Sequence, residues 1–218
     1  NMKRDIFPRF YFVSNEELTL MLAQSGDPGL IATNFIQQVF EGMKRLEFTT
    51  EEFTFDVFDP EMNENVKKVY NVKKFIKFIS VQGEKVDFIN IVNPYEEIKG
   101  REETSYRTVL LEKWLNDVEG NMILTLKKLF KECYLNLIDE NTKREKWASS
   151  HIEQAVLTIS QLDWTNRTSK AILDMQKDKN ALKTLHKHDT ESLLNLIKTI
   201  RSQENFTKLF KKTLVSLI

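Results

Sequence analysis

The chain has 218 residues, 41% apolar and 29% charged, enough to bury a core without disulfides or a structural metal. Its 32 basic residues balance 32 acidic ones, which excludes the net positive charge of a strong nucleic-acid binder and the charge block of an acidic tail. Cys133 is the single cysteine, so no intrachain disulfide can form and a reducing compartment is the natural reading.

No apolar run reaches the roughly 18 residues of a membrane span, and the charged opening Asn1–Asp5 is not followed by the apolar stretch of a signal peptide. Neither nucleic acid nor membrane is expected as a partner. Glycine and proline are scarce, at 6 and 4, so stop signals are few and long helices are expected.

The aromatic segment Phe7-Pro8-Arg9-Phe10-Tyr11-Phe12-Val13 reads as extended. Ser14 then opens a helix: Glu17 completes a capping box, and Val13 with Leu18 forms a hydrophobic staple. The turn cluster Ser25–Gly29 stops it. A second helix is predicted from Leu30 to Lys44, because Ile31, Phe35, Val39, Phe40 and Met43 recur at helical spacing.

The period then changes. Phe53, Phe55 and Val57 alternate with Thr54 and Asp56, which predicts a strand. Phe75–Val81 and Val86–Val92 are two further strands, with Gly83 placed first in a tight type II′ turn between them. Asn93-Pro94 ends the sheet, and the polar stretch Glu96–Thr104 reads as a subdomain boundary.

Long helices follow. Leu111, Leu115, Val118, Met122, Leu126, Leu129, Cys133 and Leu137 repeat every 11 residues, a period whose stripe stays nearly straight on an α-helix. Such a helix is about 40 Å long at ~1.5 Å per residue. Gly120 lies inside it at a cost of about 1 kcal/mol relative to alanine. Ile152, Ala155, Val156 and Ile159 mark the next helix, with Trp164, Ala171, Ile172 and Met175 continuing its stripe. Leu193, Ile197 and Ile200 mark another, and Phe206, Leu209, Phe210, Leu214 and Leu217 the last. The sequence stops on an apolar turn without a cap and starts on Asn1, so a piece of a longer chain is expected.

The fold class predicted from these elements is mainly α with a small antiparallel β element (α+β): an elongated helical bundle carrying an inserted β-hairpin or small sheet. Residues 1–100 form the part with the sheet and residues 101–218 the long-helix part of one continuous segment.

Residues suited to chemistry are sparse. The sequence has no G-x-x-x-x-G-K-S/T loop and no G-x-G-x-x-G, so no phosphate cradle can be built. His186, His188 and Asp189 crowd together in what reads as an exposed loop, and an i, i+2 histidine pair makes a poor metal site. Cys133 falls on an apolar stripe, the place of an inert core thiol. Glu51-Glu52, Glu96-Glu97 and Glu102-Glu103 are adjacent acids, and Lys67-Lys68, Lys73-Lys74 and Lys211-Lys212 adjacent bases. These patterns are those of a solvated surface rather than an acid/base pair or a nucleic-acid groove. No catalytic, cofactor-binding or metal residue is assigned. The aromatic cluster Phe7, Phe10, Tyr11 and Phe12, with Arg9, remains as a core junction, an anchor for other machinery, or both.

Four separated segments together resemble the dynein heavy chains. They are Phe7-Pro8-Arg9-Phe10-Tyr11-Phe12-Val13-Ser14 with Asn15-Glu16-Glu17-Leu18; the hairpin Gly83-Glu84-Lys85-Val86; Glu112-Lys113-Trp114-Leu115 with Val118-Glu119 and Met122; and Ser160-Gln161-Leu162-Asp163-Trp164-Thr165. The stretch 49–72 looks like an insertion, and Ser149–Glu153 stands where the family often has Trp-Pro-Gly.

The resemblance implies the C-terminal part of the linker, just before the first AAA+ module. It implies a non-catalytic segment that couples ATPase steps to force along microtubules. ATP and magnesium would be held by AAA+ modules elsewhere in the parent. The implied partners are the AAA+ ring of the same heavy chain and, through the rest of the parent, dynein subunits and microtubules, in the cytoplasm or the axonemal cytoskeleton. Candidate hinge or docking residues on this reading are Phe7, Arg9, Phe10, Tyr11, Phe12, Trp114 and Trp164, with 7–14 and 96–104 as junctions. A stand-alone helical scaffold is the alternative, and an enzyme the third reading.

Overall fold

The computed structural model describes residues 2–59, 61–62, 64–99, 104–138, 144–202 and 206–217, with the backbone alone at 57–59, 104 and 209. The pair Glu102-Glu103 and part of the junction 96–104 fall outside them. The fold is mixed α+β with two small antiparallel sheets. Contacts divide the chain into two compact units, 1–125 and 126–218.

The first unit opens with helix α1 (Met2–Ile6), which sequence reading missed, and a 3₁₀ helix, Pro8–Phe12. The extended segment expected there is thus replaced by a tight helical turn. Pro8 pre-sets φ at its first position, and the i, i+3 spacing brings Phe7 and Phe10 edge to face, with centroids 5.0 Å apart. Helix α2 (Asn15–Ala23) starts where predicted. The Ser14 hydroxyl accepts from the Glu17 amide, and the Glu17 carboxylate accepts from the Ser14 amide, a complete capping box.

The single helix expected at 30–44 is broken. Helices α3 (Pro28–Asn34) and α4 (Ile36–Val39) are separate, and strand β1 begins at Met43. Asp27 sets the start of α3 by accepting from the Gly29 amide at 2.8 Å and from Lys73 Nζ at 2.8 Å. Burial raises the Asp27 carboxyl, but the Lys73 and Gly29 hydrogen bonds outweigh it and hold the group below its ordinary range. A Cβ on Gly29 would meet Lys73 Nζ at 2.6 Å, so a larger residue there would push the flexible end of the lysine from its place beside Asp27.

Strands β1 (Met43–Asp59) and β2 (Glu64–Ser80) pair antiparallel over their full length, and β3 (Lys85–Val92) completes the sheet in the order β1-β2-β3. The β2–β3 turn is not the two-residue type expected. Gly83 N–H donates to Ser80 C=O, Ser80 N–H donates to Glu84 C=O, and Gly83 has φ +95°. This is a three-residue loop with glycine in the left-handed position after the turn. Nor does the β region end at Pro94. Strands β4 (Tyr95–Lys99) and β5 (Thr104–Thr108) form a second hairpin from residues read as a boundary. Tyr106 of β5 packs on Phe53, Phe55 and Tyr70, at 4.9, 6.2 and 5.9 Å, which stabilises a ribbon otherwise largely exposed.

Helix α5 (Leu111–Leu137) has the limits that the apolar repeat predicts. Strand gives way to helix at 108–111, whereas the two units divide within α5. The reason is local: Leu111, Trp114, Leu115 and Val118 are fully buried in the first unit.

The second unit contains α6 (Arg144–Ser149), α7 (Glu153–Asp174), α8 (Ala181–Ser202) and α9 (Lys208–Val215). Its core joins Cys133, Trp147, Ala148, Ala155, Val156, Ile159, Leu196 and Leu214. The expected apolar stripe of α7 stops there: Trp164, Ile172 and Met175 are exposed, and only the small Ala171 is buried beyond Ile159. On α8 the buried residue is Leu196, not Leu193. A two-helix seam covers a narrow strip on each partner, which favours small residues at the contact. His186, His188 and Asp189 lie in α8 itself, not in a loop. No helix among the described residues is long and apolar enough to cross a membrane.

Candidate functional site

The aromatic junction is built within the first unit on one polar stripe of α5. Glu112, Asn116 and Glu119 are spaced by 4 and 3 residues, so they share a helix face. Lys3 Nζ donates to both Glu112 oxygens, at 2.7 and 2.8 Å. Asn116 Nδ2 donates to Ile6 C=O at 3.3 Å, and Arg9 Nε donates to Glu119 at 2.8 Å. Three points of the N-terminal segment, three residues apart, are therefore held by positions on successive turns of α5.

Arg4 fastens the same segment from its other side, donating to the Phe10 and Val13 carbonyls and to Asn15 Oδ1, each at 3.0 Å. Sequence reading missed Lys3, Arg4, Glu112 and Asn116. The polar positions one residue beyond Leu111, Leu115 and Val118, namely Glu112, Asn116 and Glu119, were the available signal.

The structure sorts the candidate residues into two sets. Phe7 and Phe10 are fully buried, and Phe7 lies 6.1 Å from the Phe40 ring. Arg9 stacks over Phe40 at 4.8 Å while it pairs with Glu119. Trp114 is also fully buried and lies 5.3 Å from Phe75, with no hydrogen-bond partner for its Nε1–H among the described residues. These four hold the junction together. Tyr11 and Phe12, by contrast, are 62% and 82% exposed. They face solvent from the 3₁₀ turn, an exposed aromatic pair able to take another protein.

Trp164 belongs to the second unit and is 55% exposed. With Ser160 and Gln161 it lines an open cleft, of about 280 Å³, between α7 and α8. Beside it Arg167 binds Asp163 of its own helix, at 2.8 Å, and Asp189 of α8. Burial raises the Asp189 carboxyl, but the Arg167 hydrogen bond and the nearby His188 outweigh it and hold it low. Burial lowers the Arg167 guanidinium, yet the two aspartates more than compensate.

No group of three or more His, Cys, Asp or Glu suited to a metal occurs among the described residues. Cys133 is fully buried, and burial pushes its thiol up to about 11 against a smaller pull from Trp147. The Trp147 Nε1–H donates to Cys133 C=O at 2.8 Å, so the residue anchors a helix contact.

These features define a packed structural segment of α+β type with two open surfaces. Residues 1–133 match the family model for the dynein heavy chain, N-terminal region 2. The chain belongs to the dynein heavy chain family. Dynein axonemal heavy chain 2 of Homo sapiens is 30% identical over 218 residues, covering 99% of this chain and 4% of that protein. Dynein-1-beta heavy chain of the flagellar inner arm I1 complex, from Chlamydomonas reinhardtii, is 33% identical over 219 residues, with 99% and 4% covered. Dynein axonemal heavy chain 12 of Rattus norvegicus is 28% identical over 215 residues, with 99% and 6% covered. The chain thus spans only about 4 to 6% of the length of these relatives.

Proposed function

We propose that this chain is a mechanical, non-catalytic segment of an axonemal dynein heavy chain. It is the part of the linker near the first AAA+ module, and it passes conformational change from the ATPase ring toward force on microtubules. The observation that carries the reading is the clamp on α5: an N-terminal segment tied by Lys3–Glu112, Ile6–Asn116 and Arg9–Glu119 to a 27-residue helix. A segment fixed at three successive points moves with its helix and transmits load instead of yielding locally. The axonemal relatives support an axonemal cytoskeletal location. The AAA+ ring of the same heavy chain is the proposed principal partner. ATP and magnesium belong on this reading to modules outside the chain.

Hinge motion concentrates in a few residues at element ends. Here those are the end of the 7–14 junction at Val13-Ser14, which follows the clamped stretch and precedes α2, and the 96–104 junction, of which 100–103 lie outside the described residues. Structures of the parent heavy chain in two nucleotide states test the reading. Backbone dihedrals at one or both junctions should differ while the α5 clamp persists. Unchanged junctions, or a clamp that dissolves in one state, would reject it.

A further inference from the structure

The cleft of the second unit has an imbalance in how its charges are paired. Two guanidiniums, Arg144 and Arg167, and the carboxylate of Asp189 line it, with Asp163 beside Arg167. Arg167 takes both carboxylates as ion-pair partners. Arg144 is left with a 3.5 Å contact to Ser160 Oγ, at the limit of a hydrogen bond, and with the Trp147 ring at 5.9 Å. Among the described residues no carboxylate forms an ion pair with it. Arg144 is partly buried, and burial, then repulsion from Arg167, lower its guanidinium against the pull of the two aspartates. A cation withdrawn from water without its own counter-charge is a site that an anion would complete.

The remaining wall states what kind of anion. Leu157, Leu193, Leu196 and the half-exposed Trp164 line the apolar side. A cavity of about 280 Å³ is at the small end for cofactor pockets. It has room for one or two side chains, and lacks the glycine-rich cradle that a nucleotide needs. An exposed tryptophan beside an arginine is also the composition of protein contact hot spots.

We propose that the α7–α8 cleft is a docking site for a polypeptide segment that presents an aspartate or glutamate beside a large apolar side chain. The carboxylate bonds to Arg144, with Gln161 and Ser192 as further donors. The apolar neighbour packs on Leu193 and Trp164. The inference rests on residues 144–217, beyond the part that matches the family model, and does not depend on a linker role.

The test is a titration of the 218-residue chain, followed through the indole N–H resonance of Trp164, assigned with Trp164→Phe. The probes are the capped tripeptide leucyl-glutamyl-leucine and its glutamine counterpart. The glutamate peptide should shift the resonance saturably, and the glutamine peptide should bind about tenfold more weakly or worse, the usual difference between a charge-assisted and a neutral contact. Arg144→Gln should reduce the preference to near unity. Equal affinity for the two peptides, an undiminished preference in Arg144→Gln, or no saturation up to roughly 10 mM, a millimolar range easily reached by such weak contacts, overturns the proposal. The comparison of the two peptides on the unaltered chain stands even if Arg144→Gln fails to fold. Inorganic phosphate that competes fully with the glutamate peptide would also overturn it, by marking the cleft as a general anion site.

Discussion

Glu112 is the most deeply buried acid of the described chain, at 2% exposure, and it faces a lysine that keeps 39% of its surface. Removal of Lys3 leaves that carboxylate desolvated without a partner. Lys3→Ala should therefore cost about 2 kcal/mol in urea unfolding, below the ~3–5 of a fully buried pair because water already screens the lysine. Glu112→Gln should cost less, since an amide tolerates the loss of the charge partner better.

Cys133 gives a pH prediction. Its folded pKa is raised from 9.0 to about 11, so its contribution is complete below the unfolded value and is lost as pH rises through the folded one. Two pKa units correspond to about 3 kcal/mol. The stability advantage over Cys133→Ala should hold steady below about pH 8 and shrink as pH climbs beyond 9.0. Subtracting the variant removes the common titration of lysines and tyrosines. An advantage that stays constant to pH 11 would contradict the burial argument.

At the scale of elements, α5 and α2 were legible because each carries local signals that agree. The α5 repeat runs unbroken from Leu111 to Leu137, and Ser14 with Glu17 closes a local box. Gly120 is the exception inside α5. A Cβ there would meet nothing within 4 Å. Gly120→Ala should therefore stabilise the chain by about 0.5–1 kcal/mol in thermal or urea unfolding, the ordinary helix-propensity difference. A loss of stability would mean that something approaches the helix backbone at that point.

The elements that sequence reading mistook share one cause. Phe7–Phe12 is rich in β-favouring aromatics, but among the described residues no strand pairs with it, so Pro8 and the Phe7–Phe10 ring contact decide a 3₁₀ turn. The stretch 30–44 has helical spacing throughout, yet its last residues pair across to Ser80, and Met43 becomes strand. In both cases a partner far along the chain, or the lack of one, outweighs local preference.

For the whole molecule, protection from hydrogen exchange should follow burial. Among the described residues, the ribbon arm between Thr50 and Asn71 is largely exposed, with Tyr106 as its aromatic support. Its amides should exchange orders of magnitude faster than those of Leu111–Val118, whose side chains form a fully buried row. Tyr106→Ala should widen that gap by freeing the arm while leaving the α5 amides unchanged. Equal protection in arm and helix would show that the ribbon holds more stability than its packing provides.

Sequence alone determined the α+β class, the extent of α5, the helix start at Ser14, and the resemblance to dynein heavy chains. Each rests on residues within a few turns of one another, or on motifs that keep their order. Tertiary structure alone decided which charges meet. Lys3 and Glu112 are 109 positions apart, and Arg9 and Glu119 are 110. It also decided that Trp114 is sealed inside while Trp164 stands at an open cleft. Both tryptophans sit on helices with similar apolar neighbours, and exposure depends on what packs opposite, which helical periodicity does not encode.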